Sequence, residues 1–183
     1  FNKDEEKILK TFNLISTKPK IFICNISEKE NLEDNKYLNL IRSNLDDDKT
    51  TIISISAEIE SQIAQLENKI EKKEFLNSLG WIESGLDRII KSSYAKLDLI
   101  TYFTTGEKET RAWTVKKNST APEASSVIHT DFKKGFICAE TISYQDYIQY
   151  GGSKGAKENG KTRQEGKKYL IKDGDIVRFL FNV

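Results

Sequence analysis

Apolar positions along this chain fall into two spacings, one helical and one strand-like. Residues 1–13 are charged, with Phe1, Ile8, Leu9 and Phe12 as apolar points, and predict a helix. Asp4, Glu5 and Glu6 lie near its start, where carboxylates favour a helix N-terminus. Thr17-Lys18-Pro19 ends it, because proline disfavours helix in the residue before it. A nearly unbroken apolar run follows, Ile21-Phe22-Ile23-Cys24, and predicts a strand buried on both faces. Residues 28–45 are polar, with Leu32, Tyr37, Leu38 and Ile41 at helical spacing, and Asp46-Asp47-Asp48-Lys49 reads as a solvated turn. Residues 50–56 (TTIISIS) form a second β-branched run, a second strand. Residues 57–79 return to helical spacing through Ile59, Ile63, Leu66 and Ile70, and Gly80 punctuates them. A further helix is expected from Ser84 to about Leu97. Strand, helix, strand, helix is the pattern of a parallel α/β sheet.

The texture changes near Asp98. Residues 99–105 and 111–115 are short β-like runs with a turn at Gly106 between them. Residues 122–128 predict a short helix, and residues 135–142 and 176–181 further strands. Residues 151–168 are rich in Gly and Lys and read as loop. Asp173-Gly174-Asp175 is a tight turn into the last strand. The expectation is a second, small α+β domain with a mixed sheet and one helix, separable from the first near Asp98.

Composition narrows the class. The 183 residues are 31% charged and 37% hydrophobic, with a net charge of +1, so no global field marks a nucleic-acid or membrane binder. No apolar run approaches the length of a membrane-spanning helix, and no signal-peptide pattern opens the chain. Membrane and DNA partners are not expected. Cys24 and Cys138 lie in apolar runs, which fits buried thiols in a reducing cytosol. One histidine and two scattered cysteines make a zinc site an unpromising reading, and no metal ligands are assigned. The chain has no methionine and residue 1 is Phe, so a fragment or processed product is expected.

Candidate chemistry gathers at the ends of the two predicted parallel strands. One ends in Asn25-Ile26-Ser27-Glu28 and the next in Ser54-Ile55-Ser56-Ala57. Ligand groups in open α/β sheets sit just beyond the strands' carboxyl ends. Asn25 carries an acceptor and two donors, so it can pair with an adenine edge. Glu28 is acceptor-only when ionised. The alternative is an Asx-turn that merely starts the next helix.

These loops resemble the base-recognition loops of a P-loop GTPase domain, NKxD and SA-x, with Glu28 at the Asp position and Ile26 at the Lys position. SGLDRII, TYFTTGEKETRAWTV, APEASSVIHTDFKKGFICAE and KDGDIVRFLFNV extend the resemblance over nearly the whole chain, to the YchF or Obg-like ATPase family. The resemblance implies an α/β fold, a partial P-loop GTPase-type parallel sheet, followed by a β-grasp TGS domain. It implies the end of a helical coiled-coil insertion at residues 1–18, the C-terminal part of the nucleotide-binding domain at 19–97 and TGS at 98–183. It implies ATP, or GTP, hydrolysed with Mg2+ in a full-length parent, association with ribosomes and a cytoplasmic setting. Base contacts would fall to Asn25, Ile26, Glu28, Ser56 and Ala57, the Asn-x-x-Glu loop accompanying a preference for ATP. Asn118 stands where that family usually has Gly, and Asn also tolerates the left-handed conformation.

No GxxxxGK[ST] phosphate loop occurs in the 183 residues. Catalytic residues are therefore not assigned, no cofactor is expected on this chain alone, and it is expected to be inactive by itself. The competing reading is an RNA- or protein-binding adaptor acting through the TGS part. Lys133, Lys134, Lys154, Lys157, Lys161 and Arg163 are its candidate RNA or partner contacts. A solvated loop diluted by Glu158 and Glu165 is the alternative for them. His129, in His129-Thr130-Asp131, reads as a structural hydrogen-bonding residue or a lone base without a triad. Trp81 and Trp113 read as core or interface residues rather than stacking platforms.

Overall fold

The structure, a computed structural model, describes residues 2–28, 30, 35–45, 50–106 and 108–182. The expectations placed on Phe1, on Leu32 and on the turn at residues 46–49 lie outside the described residues. The chain divides into two compact units, Phe1–Lys96 and Leu97–Val183.

The first unit opens with α1 (Lys3–Thr11). Asn2 Oδ1 caps it, accepting from Asp4 N at 3.0 Å and Glu5 N at 2.9 Å, and Glu5 Oε2 returns the favour to Asn2 N at 2.8 Å. A 3-10 turn at Ile15–Thr17 precedes Pro19. Then come β1 (Ile21–Asn25), α2 (Lys36–Asn44) and β2 (Thr51–Ile55). β1 and β2 pair in parallel from Ile21↔Thr51 to Asn25↔Ile55, so the crossover through α2 follows the sequence pattern. Leu38, Ile53, Ile59 and Ile63 form the buried apolar set of this unit.

Two expectations are corrected here. β1 is not buried on both faces: Phe22 is 38% and Ile23 49% exposed. Among the described residues its one hydrogen-bonded neighbour is β2, and two-sided burial needs covering layers on both sides that the described elements do not supply. Residues 57–79 are two helices, α3 (Ala57–Gln65) and α4 (Lys69–Ser78), rather than one. Leu66 turns extended (ψ 123°), and Asn68 Oδ1 accepts from Ile70 N at 2.9 Å, opening a new helix.

Gly80 (φ +73°) leads out of α4, and α5 (Gly85–Lys96) follows. Ser84 Oγ accepts from Asp87 N at 3.0 Å, and Glu60 of α3 takes the next two donors, Gly85 N at 2.7 Å and Leu86 N at 3.2 Å. A carboxylate at this end also meets the helix dipole favourably. The approach is close: a Cβ on Gly85 would stand 2.6 Å from Ile55 Cγ2 and 2.8 Å from Glu60 Oε1. Gly85→Ala is therefore expected to destabilise the first unit by about 1–3 kcal/mol. An unchanged urea midpoint followed through Trp81 would contradict that packing.

The second unit contains β3 (Leu99–Thr105), β4 (Thr110–Lys116), α6 (Ala121–Ile128), α7 (Thr130–Lys134), β5 (Phe136–Ile142), α8 (Tyr144–Gln149), α9 (Ser153–Glu158), β6 (Arg163–Glu165) and β7 (Ile176–Phe181). Its mixed sheet runs β4-β3-β7-β5-β6, with β3 and β7 parallel and the other pairs antiparallel. Tyr102, Ala121, Ala124, Ala139 and Val177 pack one core, which includes α6, and Tyr102 Oη donates to Ala124 O at 2.9 Å. A smaller cluster, Ile142, Ala156 and Ile176, joins α9 to the sheet. Asn118 takes φ +66°, as the left-handed turn required.

Residues 151–168 are not all loop, and the unit has four described helices instead of one. α9 buries only Ala156 and β6 is three polar residues, so neither carries an apolar period. Both cysteines are free thiols and only partly buried, another departure from expectation. Among the described residues no helix is long and apolar enough to cross a membrane.

The turn at Asp173-Gly174-Asp175 forms as expected, with Gly174 at φ +81°. Thr101 N donates to Asp173 Oδ1 at 2.8 Å, locking the turn to β3. Asp175, 3% exposed, accepts from Tyr169 Oη at 2.7 Å and Lys172 N at 2.9 Å. Burial first, then the Asp175 carboxylate, pushes the Tyr169 phenol up to about 12. An unfolded phenol titrates near pH 10, so the folded state holds this proton more tightly. Stability from this group is intact below about pH 10 and falls as pH rises toward about 12. Tyr169→Phe should flatten that alkaline loss in a series of denaturant midpoints from pH 8 upward.

Candidate nucleotide-base site

The ends of β1 and β2 lie side by side, and the chain ties them with a side chain. Asn25 is the last residue of β1 and pairs in register with Ile55. Its Oδ1 accepts from Ala57 N at 3.0 Å, a bond across 32 residues. Ile26 N continues the ladder, donating to Ile55 O at 2.9 Å. Asn25 therefore does not make the local Asx-turn that was its alternative; α2 begins later, capped by Asn35, whose Oδ1 accepts from Tyr37 N at 2.8 Å.

Ser56 is buried and caps α3, its Oγ accepting from Ile59 N at 3.5 Å while its carbonyl accepts from Glu60 N at 2.9 Å. One acceptor position of its hydroxyl is thus taken by the fold. Ala57 N is likewise spent on Asn25. What faces outward at this end is the rest of the Asn25 amide, partly buried Ile26 and the exposed carboxylate of Glu28. These five residues sit within two adjoining loops.

Two residues outside the sequence assignment support this end. Glu60 joins the start of α5 to α3, as described above. Arg88 of α5 donates from Nη2 to Ser54 O at 2.7 Å, bracing β2 three residues before Ala57. Arg88 lies within SGLDRII, but neither residue sits in the two strand-end loops, so the reading of those loops did not single them out. Among the described residues no group of three or more His, Cys, Asp or Glu side chains is placed to hold a metal ion.

The basic candidates scatter over the second unit. Lys133 and Lys134 lie on α7, and Lys134 meets Asp131 at 3.8 Å. Lys161 pairs with Asp146 at 3.8 Å and stands 5.9 Å over the Tyr150 ring. Arg163 is held by Glu165 at 3.3 Å and Asp175 at 3.8 Å. Lys154 and Lys157 share a cleft with Arg178, which sequence reading did not single out. His129 is structural in geometry: Nδ1 accepts from Asp131 N at 3.3 Å and caps α7. Trp113 packs against the core, donates from Nε1 to Thr104 Oγ1 at 2.9 Å and carries Arg111 4.3 Å above its ring.

Comparison with known proteins identifies relatives along the whole chain. Residues 99–182 match the family model YchF-GTPase_C, described as a protein of unknown function (DUF933). The chain is 49% identical over 182 residues to a ribosome-binding ATPase YchF of Haemophilus influenzae, covering 100% of this chain and 50% of that protein. It is 47% identical over 185 residues to the protein of the same name in Bacillus subtilis, again 100% of this chain and 50% of the relative. The solved structure of the Schizosaccharomyces pombe YchF GTPase aligns with a TM-score of 0.84 at 36% identity, over 98% of this chain and 48% of that one. The chain thus spans about half the length of the curated relatives it matches. The match of residues 99–182 to the family model, the identity sustained across the whole sequence and the shared fold place this chain in the YchF family.

Proposed function

We propose that the loops at residues 25–28 and 56–57 read the base of ATP in an ATPase of this family, with the triphosphate and Mg2+ held by residues outside this sequence. The observation that carries the reading is the Asn25 Oδ1 to Ala57 N bond at 3.0 Å. It fixes the amide so that Nδ2 can donate to purine N7, while the second lone pair of Oδ1 can accept from adenine N6. Ile26 offers an apolar edge for the ring. Glu28 offers only acceptors, and adenine N1 is an acceptor, so the carboxylate does not reward adenine directly; its part is to disfavour guanine, as argued in the Discussion.

Phosphoryl transfer depends on positioned charge around the γ-phosphate and its metal. The 183 residues hold no phosphate-loop motif, so the chain alone is expected to show no ATP turnover above a blank. Turnover that co-purifies with the chain through successive columns would overturn that expectation. In this reading residues 98–183 are the TGS domain, a β-grasp module that contributes RNA or protein contacts on the ribosome. The setting is cytoplasmic.

The test is a titration with fluorescent ATP and GTP analogues on protein of full family length. Asn25→Ala should weaken both by about tenfold, since it removes a buried-type bond to the base and the tie between the loops. Unaltered affinity for both would remove Asn25 from the site.

A further inference from the structure

Beside β2 lies a cleft of about 570 Å³ that the base loops do not use. Four consecutive β2 residues, Thr51 to Ser54, form its floor, and no β1 residue lines it. It therefore opens on the outer edge of β2, away from β1. Backbone groups of successive strand residues point to opposite edges. Ile55 O turns inward, since it accepts from Ile26 N at 2.9 Å. Ile52 and Ser54 accordingly turn their N–H and C=O groups outward, and Arg88 Nη2 meets Ser54 O on that side at 2.7 Å. Among the described residues β2 pairs with β1 alone, so no strand covers this edge.

The walls are basic. Arg42 comes from α2, Arg88 and Lys91 from α5, and Glu83, paired with Lys91, is the one carboxylate of the lining. The formal lining charge is +2, on a chain whose net charge is +1. Arg88 is incompletely used: its Nε is buried, with no hydrogen-bond partner among the described residues. Nε and Nη2 form one side of the guanidinium fork, which a carboxylate fills with two parallel bonds and a lone carbonyl with one. We propose that the outer edge of β2 takes up an extended acidic segment of a partner protein as an added strand. Its backbone pairs with Ile52 and Ser54, which supplies affinity, and the cations select its carboxylates. Ser54 O exchanges Arg88 for a peptide N–H, and the released guanidinium turns its Nε and Nη2 to a carboxylate of the segment. Four residues of edge span about 13 Å, so a segment of about five residues suffices. While the edge is empty, Arg88 screens it from unwanted strands. The site does not depend on the reading of the base loops.

The test titrates the 183-residue chain with capped six-residue peptides of alternating Thr and Glu, and of alternating Thr and Gln. A third peptide is the Glu form N-methylated along its backbone, which keeps the charges and removes the donors. The Glu peptide should bind at least about tenfold tighter than either control. In its complex the outward Ile52 amide should exchange more slowly, and the inward Ile53 amide at its former rate. Arg42 and Lys91 are exposed, so Arg42→Ala with Lys91→Ala keeps the fold and should weaken the Glu peptide by about tenfold. Arg88→Lys should narrow the preference for Glu over Gln, because an ammonium offers no fork. No binding at millimolar peptide, equal affinity of the N-methylated form, or a preference unmoved by the Arg88 change would overturn the proposal. So would slowed exchange at Ile23, on the outer edge of β1, in place of Ile52. Displacement of the Glu peptide by an equal concentration of inorganic phosphate would reduce the groove to plain anion attraction and overturn it as well.

Discussion

Gly135→Ala is expected to cost the second unit about 3 kcal/mol or more. For a unit of this size that lowers Tm by more than about 10 °C. The cause is space, since Gly135 has an ordinary φ of −89°. A Cβ there would run into the Asn182 carbonyl oxygen, with the carbonyl carbon at 2.8 Å and the Asn182 nitrogen at 3.3 Å. All three are backbone atoms. They are held by the Asn182 N to Gly135 O bond at 2.9 Å and by the Phe136↔Phe181 pairing beside it. Relief therefore requires the Asn182 backbone, just past β7, to give up its bond to Gly135. Trp113 fluorescence in a Trp81→Phe background isolates the unit's melting. Gly166→Ala is the control: nothing lies within 4 Å of its added Cβ, so it should change stability by less than about 0.5 kcal/mol. Equal melting of the two variants would rule out the close approach at Gly135.

The second large effect concerns base choice. Glu28→Asp together with Ile26→Lys should move the preference of the full-length protein toward GTP by about tenfold or more. Guanine presents two donors, N1–H and N2–H, to whatever stands opposite Asn25. A carboxylate of Asp length would accept both in the site proposed here. The longer Glu28 misplaces its oxygens, and each buried donor left unpaired costs about 1–3 kcal/mol. Lys at position 26 adds a stem that lies along the ring with its charge in water. Competition titrations with ATP and GTP decide it. A wild type that binds both equally, or a double variant with an unmoved ratio, would remove these residues from base selection.

Much of the fold was legible because local chemistry agreed with it. TTIISIS, the Gly106 turn, Asn118 in the left-handed region and Asp173-Gly174-Asp175 each dictate their conformation within a few residues. The break between α3 and α4 had a readable cue, Asn68, which the continuing Ile and Leu spacing masked. α9 and β6 had almost none. The exposure of Phe22 and Ile23 was not readable at all, because burial depends on which layers lie above a strand, not on the strand's own composition. For the proposed base site, sequence placed Asn25, Ser56 and Ala57 at neighbouring strand ends. It did not show that the Ser56 hydroxyl caps α3, or that Asn25 spans 32 residues to Ala57. Arg178 sits in an otherwise apolar strand, and only the register opposite Glu140 brings it to the cleft.

The tie between Asn25 and Ala57 makes α3 a reporter. Its first residue is gripped by Asn25, and one turn on, Glu60 holds the amide protons of Gly85 and Leu86. A base that steadies Asn25 steadies the start of α3, and with it the carboxylate that shields those two amides. Their hydrogen exchange should slow when the loops are occupied. Two amides at the start of α5 would then count occupancy of the proposed base loops with no label on the nucleotide.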